Sequence, residues 1–292
     1  MSGLANCLRG WSPAPLRWSG RLSGWSVAAF AGLLDQPSPL RQRPVVPPMW
    51  QLFGCLPHPA QAQLGADGHP AEGPFLPPIP DRRRMFAGGR WQEPRPLVVD
   101  QPIDCRSEIL STEVKVGRSG EMAFVTVRTE FSQHGELAVA EEQDIVYRGQ
   151  PRPQPGGLPP VDEQVEEPVA EHELTVLPDP PLLFRFSALT YNTHRIHYDQ
   201  AYVTGVEGYP GLVVHGPLLA LLALELPRRH LPGLRVEHFS YRLRRPAFAG
   251  SPVKAWMLPE QDQGERSLVV GVPGGAPSLT GSVRLRPDEA KG

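Results

Sequence analysis

The chain has 292 residues, room for one large domain or two of ordinary size, and its 29 basic and 31 acidic residues leave a formal net charge of −2. That balance excludes a bulk basic field for nucleic acid or an anionic membrane surface, and points to a small molecule or another protein as partner. Thirty-six prolines and 29 glycines announce long loops, while Cys7, Cys55 and Cys105, with no CxxC pair, suit reduced cytosolic thiols better than a disulfide framework or a zinc knuckle.

Residues 1–34 contain Arg9, Arg17 and Arg21, several serines and no acid, which is the composition of a mitochondrial transit peptide. The preferred reading is the start of a folded cytoplasmic protein, because WSVAAFAGLLD (25–35) reads as its first amphipathic helix. Residues 37–82 are proline-rich and short of regular elements, yet Trp50, Phe53 and Phe75 argue for order. Within 90–148, apolar and polar residues alternate over 108–116, 122–131 and 136–147, with GRSGE and SQHGE as hairpin turns. This predicts an antiparallel meander with one face to cover, and the first helix is the expected cover.

Residues 149–173, rich in Pro, Gly and acids, form a linker. Beyond it ELTVLPDPPLLFRFSAL reads as an interrupted strand, followed by the histidine-rich YNTHRIHYD (191–199), a helix over 216–229, and strands at 234–246, 251–259, 266–272 and 278–286. One helix followed by antiparallel strands therefore occurs twice, which predicts two similar α+β domains, 18–148 and 174–290. The longest apolar run, PLLALLALEL, is too short for a bilayer and already contains Glu225. Its helix is well marked: Pro217 suits the first turn, leucines surround it, and Arg228, Arg229 and His230 suit the C-terminal end.

The stretch FSALTYNTHRIHYDQAYVTGVEGYPGLVVHGPLLALLALEL (186–226) resembles the MaoC-type hydratase/dehydratase motif, in which D-x-N-P-x-H is followed by an HG that opens a central helix. MWQLFGCLP, DGHPAEGPFLPPIPDRRRMFAGGRW and EEQDIVYR resemble the first domain of mesaconyl-C4-CoA and itaconyl-CoA hydratases, so the likeness runs over roughly 18–290. The resemblance implies a double hot-dog fold, two antiparallel sheets each wrapped around a helix and packed as a pseudo-dimer within one chain, with a homodimer optional. It also implies reversible hydration of an enoyl-CoA, here mesaconyl-C4-CoA or itaconyl-CoA giving citramalyl-CoA, with no cofactor beyond the CoA of the substrate. Two alternatives stay open: a 3-hydroxyacyl-thioester dehydratase acting on CoA or carrier-protein substrates, with DRRRMFAGGR (81–90) as a basic rim, and a non-catalytic acyl-thioester-binding protein.

The chain departs from the broader MaoC-type pattern where the chemistry lies, and its N-x-H-R-I-H-Y-D text resembles this hydratase subgroup and the type 2 3-hydroxyacyl-thioester dehydratases. With the motif histidine on His197, Asn192 stands in place of the catalytic aspartate, His194 in place of asparagine and Arg195 in place of proline. Hydration needs a donor for the developing enolate oxygen, a base for water and an acid for Cα. The resemblance assigns the first to the Gly216 N–H, and helix-end donors are physically suited to it. His197, with an ordinary pKa near working pH, is the base. Asn192 cannot titrate and is left to orient water or imidazole, so His194 is the candidate for the missing acid, with Asp199 and Glu207 behind it. Arg195 and Arg185 are candidates for a substrate carboxylate, together with the Arg82–Arg84 cluster. Tyr191 and His215 complete the expected substrate-binding set. His194, His197, Asp199 and His215 could in principle hold a metal, but the acid–base reading is preferred and no metal is expected. The first domain lacks a comparable histidine turn, so it is expected to shape the acyl tunnel without joining the chemistry.

Overall fold

The computed structural model describes residues 3–41, 43–80, 82–117, 120–149, 165–261 and 264–288. The first half contributes α1 (Gly3–Cys7), β1 (Leu16–Arg21), α2 (Gly24–Leu33), β2 (Arg83–Gln92), β3 (Pro102–Gly117), β4 (Gly120–Gln133) and β5 (Glu136–Arg148). The second contributes β6 (His172–Val176), α3 (Pro180–Leu189), α4 (Gln200–Gly205), α5 (Gly216–His230), β7 (Leu234–Leu243), β8 (Val253–Met257), β9 (Glu265–Gly271) and β10 (Leu279–Pro287).

All ten strands make one antiparallel sheet in the order β1-β3-β4-β5-β2-β7-β10-β9-β8-β6. Each strand of the first half matches the strand five places later, so the order is a palindrome about the β2–β7 seam. There Gly88 to Gln92 pair with Arg242 to His238. The expected pair of sheets is thus a single sheet built from two hot-dog halves.

The meander follows from local sequence. The turn between β4 and β5 is two residues, His134 and Gly135, at φ 54° and 78°, the left-handed pair that a tight hairpin demands. The centre of the preceding turn, 118 and 119, lies outside the described residues, as does most of the predicted linker. The end of that linker is anchored: Val165 N–H donates to Gly274 O at 2.9 Å, and Glu171 pairs with Arg266.

Two elements differ from expectation. Residues 180–189 form α3, where a strand was predicted, because Asp179 caps it (accepting from Leu182 N–H at 2.8 Å) and prolines occupy its first turn. Strand β2 (Arg83–Gln92) begins before the predicted meander, in the stretch read as a basic rim, and it contains Gly88 and Gly89. They are needed by the seam: a Cβ on Gly88 would lie 2.2 Å from Tyr241 O, and one on Gly89 would lie 2.6 Å from Glu142 O.

The helices are also unequal. By chain order α2, which follows edge strand β1, corresponds to α3, which follows edge strand β6. Among the described residues α5 has no counterpart in the first half, where the proline-rich segment 34–82 stands in its chain position with short 3-10 turns only. That segment is ordered, as its aromatics predicted. Phe30 of α2 packs against Trp50 and Phe53 at centroid distances of 4.7 and 4.3 Å, and Phe53 meets Phe186 of α3 at 6.0 Å.

Helix α5 is the axis of the core, buried without interruption from Leu218 to Pro227. At about 1.5–3 kcal/mol per buried leucine side chain, it contributes more apolar burial than any other single element of the second half. The single acid within it, Glu225, is met by Arg228 and Arg229. At the N-terminal end of the chain Leu4 of α1 is buried against β4 and β5, and β1 pairs with β3, so residues 3–21 belong to the fold. Among the described residues no helix is long and apolar enough to cross a membrane.

Candidate active site

The histidine turn lies between α3 and α5. Asn192 Oδ1 accepts from His194 N–H at 3.0 Å, closing a local turn, and Arg195–His197 form one 3-10 turn before Asp199 caps α4. The amide oxygen of Asn192 therefore serves its own backbone.

His197 is buried, and its Nδ1–H donates to Val213 O at 2.7 Å, which leaves Nε2 as the nitrogen with a free lone pair. Its ring stacks on His215 at 3.7 Å and 19°. His215 is the residue before α5, so this stack places His197 at the N-terminal end of that helix. Gly216 opens α5, and as first helical residue its N–H has no intrahelical acceptor. A Cβ there would lie 2.4 Å from Leu243 Cδ1 and 3.1 Å from Phe86 Cδ1, so the helix end is closely walled by β7 and β2.

The segment 64–70 from the first half closes over this turn. It is pinned on itself by Gly65 N–H to His69 O at 2.7 Å and by a bridge between Leu64 and Pro70. It is pinned to the turn by Arg195 N–H to Asp67 O at 2.9 Å and by Thr193 Oγ1–H to Gly68 O at 2.5 Å. Inside the loop, Asp67 accepts from His69 twice: Oδ1 from the backbone N–H at 2.9 Å and Oδ2 from Nδ1–H at 3.0 Å. The His69 ring lies 4.0 Å from that of His194, which in turn meets His197 edge-on at 5.5 Å.

Sequence reasoning missed Asp67 and His69. They lie over 120 residues from the turn, and only the sequence DGH, polar residues inside a proline-rich run, could have drawn attention to them.

Several expected partners are placed elsewhere. His215 is fully buried beneath His197 and shares a 2.8 Å hydrogen bond with Ser187 Oγ, so it supports the neighbouring ring and is closed off from solvent. Arg195 is engaged by Asp199 (Nε at 3.1 Å, Nη2 at 2.8 Å) and by Ala66 O, and lies 4.0 Å over the Tyr202 ring. Its guanidinium, expected to meet a substrate carboxylate, braces the turn. Arg185 is exposed on α3, whose buried face is Leu183, Phe186 and Ser187, so it faces away from the cluster. Tyr191 is over half exposed, at φ 49°. Of the arginine cluster, Arg82 donates to Ala71 O and Arg83 pairs with Glu207 at 2.5 Å. Arg84 is exposed, and its charge reaches His194 and the Tyr147 hydroxyl. It shares a face of β2 with Phe86, the residue that walls Gly216.

The metal set considered from sequence is not assembled, because Asp199 is held by Arg195 and by the α4 N-terminus. Among the described residues the grouping whose ligand-type atoms fall within 4.8 Å of one another is Asp67, His69 and His194. Two of those three are already hydrogen bonded to each other.

Burial keeps His194, His197 and His215 neutral. It pushes His197 down to about 4, against the opposing pull of its bond to Val213 O. Burial, then the charges of His69 and His197, take His194 to about 2, which fits it poorly to replace a proton-donating acid. His215 is likewise held well below the ordinary value by burial. The folded state thus refuses protons that the unfolded chain accepts below pH 6.5. Stability from these groups is full above pH 6.5 and is lost on acidification, with the His197 share lost between 6.5 and about 4. One such histidine gives a slope of up to about 1.4 kcal/mol per pH unit. Urea midpoints measured from pH 7 to 5 should fall, and His197→Asn should flatten the slope by up to that amount; an unchanged slope would remove His197 from the account.

The family model for hydroxyacyl-thioester dehydratase type 2 matches residues 50–249, which takes in the 64–70 loop, the histidine turn, α5 and β7. The chain belongs to this family. It is 46% identical over 263 residues to the mesaconyl-C(4)-CoA hydratase of Chloroflexus aurantiacus, covering 88% of this chain and 90% of that one. To the mitochondrial hydroxyacyl-thioester dehydratase type 2 of Schizosaccharomyces pombe it is 29% identical, over 70% and 74% of the two chains. Among solved structures, a MaoC-like dehydratase from Phytophthora capsici superposes with a TM-score of 0.69 at 13% identity, covering 98% and 99%. A Mycobacterium tuberculosis protein with a double hotdog fold superposes at 0.56 and 15% identity, covering 94% and 96%. These two establish the fold, the double hot-dog that the resemblance implied.

Proposed function

We propose that the chain is a hydro-lyase that adds water reversibly across the double bond of a short enoyl-CoA, with mesaconyl-C4-CoA as its substrate, citramalyl-CoA as product and no cofactor beyond the CoA of the substrate. The observation that carries this reading is His197, its Nδ1–H fixed on Val213 O and its Nε2 free, at the N-terminus of α5, where the first N–H has no intrahelical acceptor. The 46% identity to the Chloroflexus hydratase supports the substrate.

In this reading Nε2 of His197 takes a proton from water as the water oxygen bonds to Cβ. The Gly216 N–H and the positive end of α5 receive the charge that develops on the thioester oxygen. Burial keeps His197 itself neutral, so the base is ready at pH 7 without first losing a proton.

Mesaconyl-C4-CoA carries a free carboxylate, which is costly to bring into a closed site without a cation. Arg84 supports this specificity: it is the member of the arginine cluster not engaged by Ala71 or Glu207, and it shares its face of β2 with Phe86. The engagement of Arg82 and Arg83 likewise leaves a carrier protein little basic rim to dock on.

A substrate panel tests the reading. Wild-type protein should turn over mesaconyl-C4-CoA faster than crotonyl-CoA, and Arg84→Ala should narrow that preference at least about tenfold, the effect of losing one charge-assisted bond. Arg195→Ala should slow both substrates alike, because it loosens the turn. A wild-type preference for crotonyl-CoA or longer neutral chains would defeat the dicarboxylate assignment in favour of a fatty-acyl dehydratase.

A further inference from the structure

The histidine turn lacks the aspartate of the broader MaoC-type motif, and His194, the candidate to replace it, is held neutral between two other imidazoles. The first half supplies what is missing. Asp67 is a carboxylate and can only accept, so the 3.0 Å contact fixes the proton of His69 on Nδ1 and leaves Nε2 as its working nitrogen. The Asp67 carboxyl is held down to about 2, burial notwithstanding, by its bonds to His69, so it stays ionised behind the ring. The His69 side chain is 21% exposed where His197 is 7% exposed, so the one lies at the surface of the cluster and the other at its floor. The loop carrying the pair is fixed by its own bridge and by its bonds to Thr193 and Arg195.

We propose that His69, oriented by Asp67, is the second acid–base residue of the site, a dyad delivered across the chain from the first half to do the work of the absent aspartate. This rests on the hydratase reading above. As His197 Nε2 takes a proton from water, the water oxygen forms its bond to Cβ and the π pair of the double bond moves toward the thioester oxygen. The enolate then collapses, and its Cα takes the proton that protonated His69 carries on Nε2. His197 has gained one proton and His69 has lost one; transfer between them through solvent restores both, and one water has been added.

The test uses the full chain and the acyl-CoA that wild type hydrates fastest. His69→Gln should lower kcat on the order of 100-fold, with KM changed by less than about threefold, the signature of a lost proton transfer. His69→Ala should regain part of its turnover when imidazole is added, since the position is open to solvent. The Gln variant, which keeps a donor for Asp67, serves if the Ala variant does not fold. A kcat within about threefold of wild type, a loss confined to KM, or a folded Ala variant deaf to imidazole would each overturn the proposal. Dialysis of wild type against a chelator should leave turnover unchanged; a loss restored by zinc would make Asp67, His69 and His194 a metal centre and overturn it as well. A wild type that hydrates no enoyl-CoA defeats the hydratase reading, whereas an active wild type matched by His69→Gln defeats this inference alone.

Discussion

His197→Asn is expected to lower kcat for enoyl-CoA hydration by about 10³-fold while the protein remains folded. Asparagine is the informative replacement because His197 is buried and its Nδ1–H satisfies Val213 O. An amide N–H can keep that bond, but no atom of asparagine can take a proton from water at neutral pH. Alanine removes both functions and leaves a buried carbonyl unpaired, at a cost of about 1–3 kcal/mol. The 3.7 Å stack on His215 makes His197 a floor residue, so alanine is expected to cost stability as well as activity. Steady-state kinetics and thermal unfolding on both variants check this. A His197→Asn protein within tenfold of wild type in kcat would take the base assignment away from this residue.

Gly68→Ala should lower activity severely through a single added methyl. Gly68 has φ +89°, and a Cβ there would lie 1.8 Å from Thr193 O, an impossible approach to a backbone atom. The loop must lift from the histidine turn, breaking the bonds from Thr193 and Arg195 and carrying Asp67 and His69 with it. Backbone strain and the forced separation together cost about 2–4 kcal/mol. Gly135→Ala is the matched control, at φ +78° with nothing within 4 Å of its added Cβ. It carries the strain without the collision. Thermal midpoints and kcat are compared between the two; equal losses would show that contact between the halves at Gly68 is immaterial to the site.

What could be read from the sequence was whatever is encoded within about fifteen residues. Helix α5 announced itself through Pro217, its run of leucines and its basic end, because capping and burial are properties of a single element. The β4–β5 hairpin did so through alternation and His134–Gly135. Strand β2 did not, because the need for two glycines comes from Tyr241 and Glu142, which are remote in sequence. Helix α3 was legible in principle, since Asp179-Pro180-Pro181 is a start signal, but the preceding strand pattern prevailed. The site divided in the same way. His197 and Gly216 lie on one motif, and the structure brings both to the N-terminal end of α5. Arg195 looked available because its partners Ala66 and Asp199 could not be placed, and the Asp67–His69 pair had no local pattern to announce its destination.

The palindromic strand order bears on how the protein matures on the ribosome. Every residue of the cluster, from Asp67 to Gly216, has been synthesised before the first residue of β7, Leu234, is added. The β2–β7 seam that joins one half of the sheet to the other cannot exist until that strand and its successors emerge. A nascent chain halted short of Leu234 holds all the reactive groups and no frame to keep them in register. Competence is therefore a late event in the life of the chain, conferred by strands that contribute no reacting group of their own.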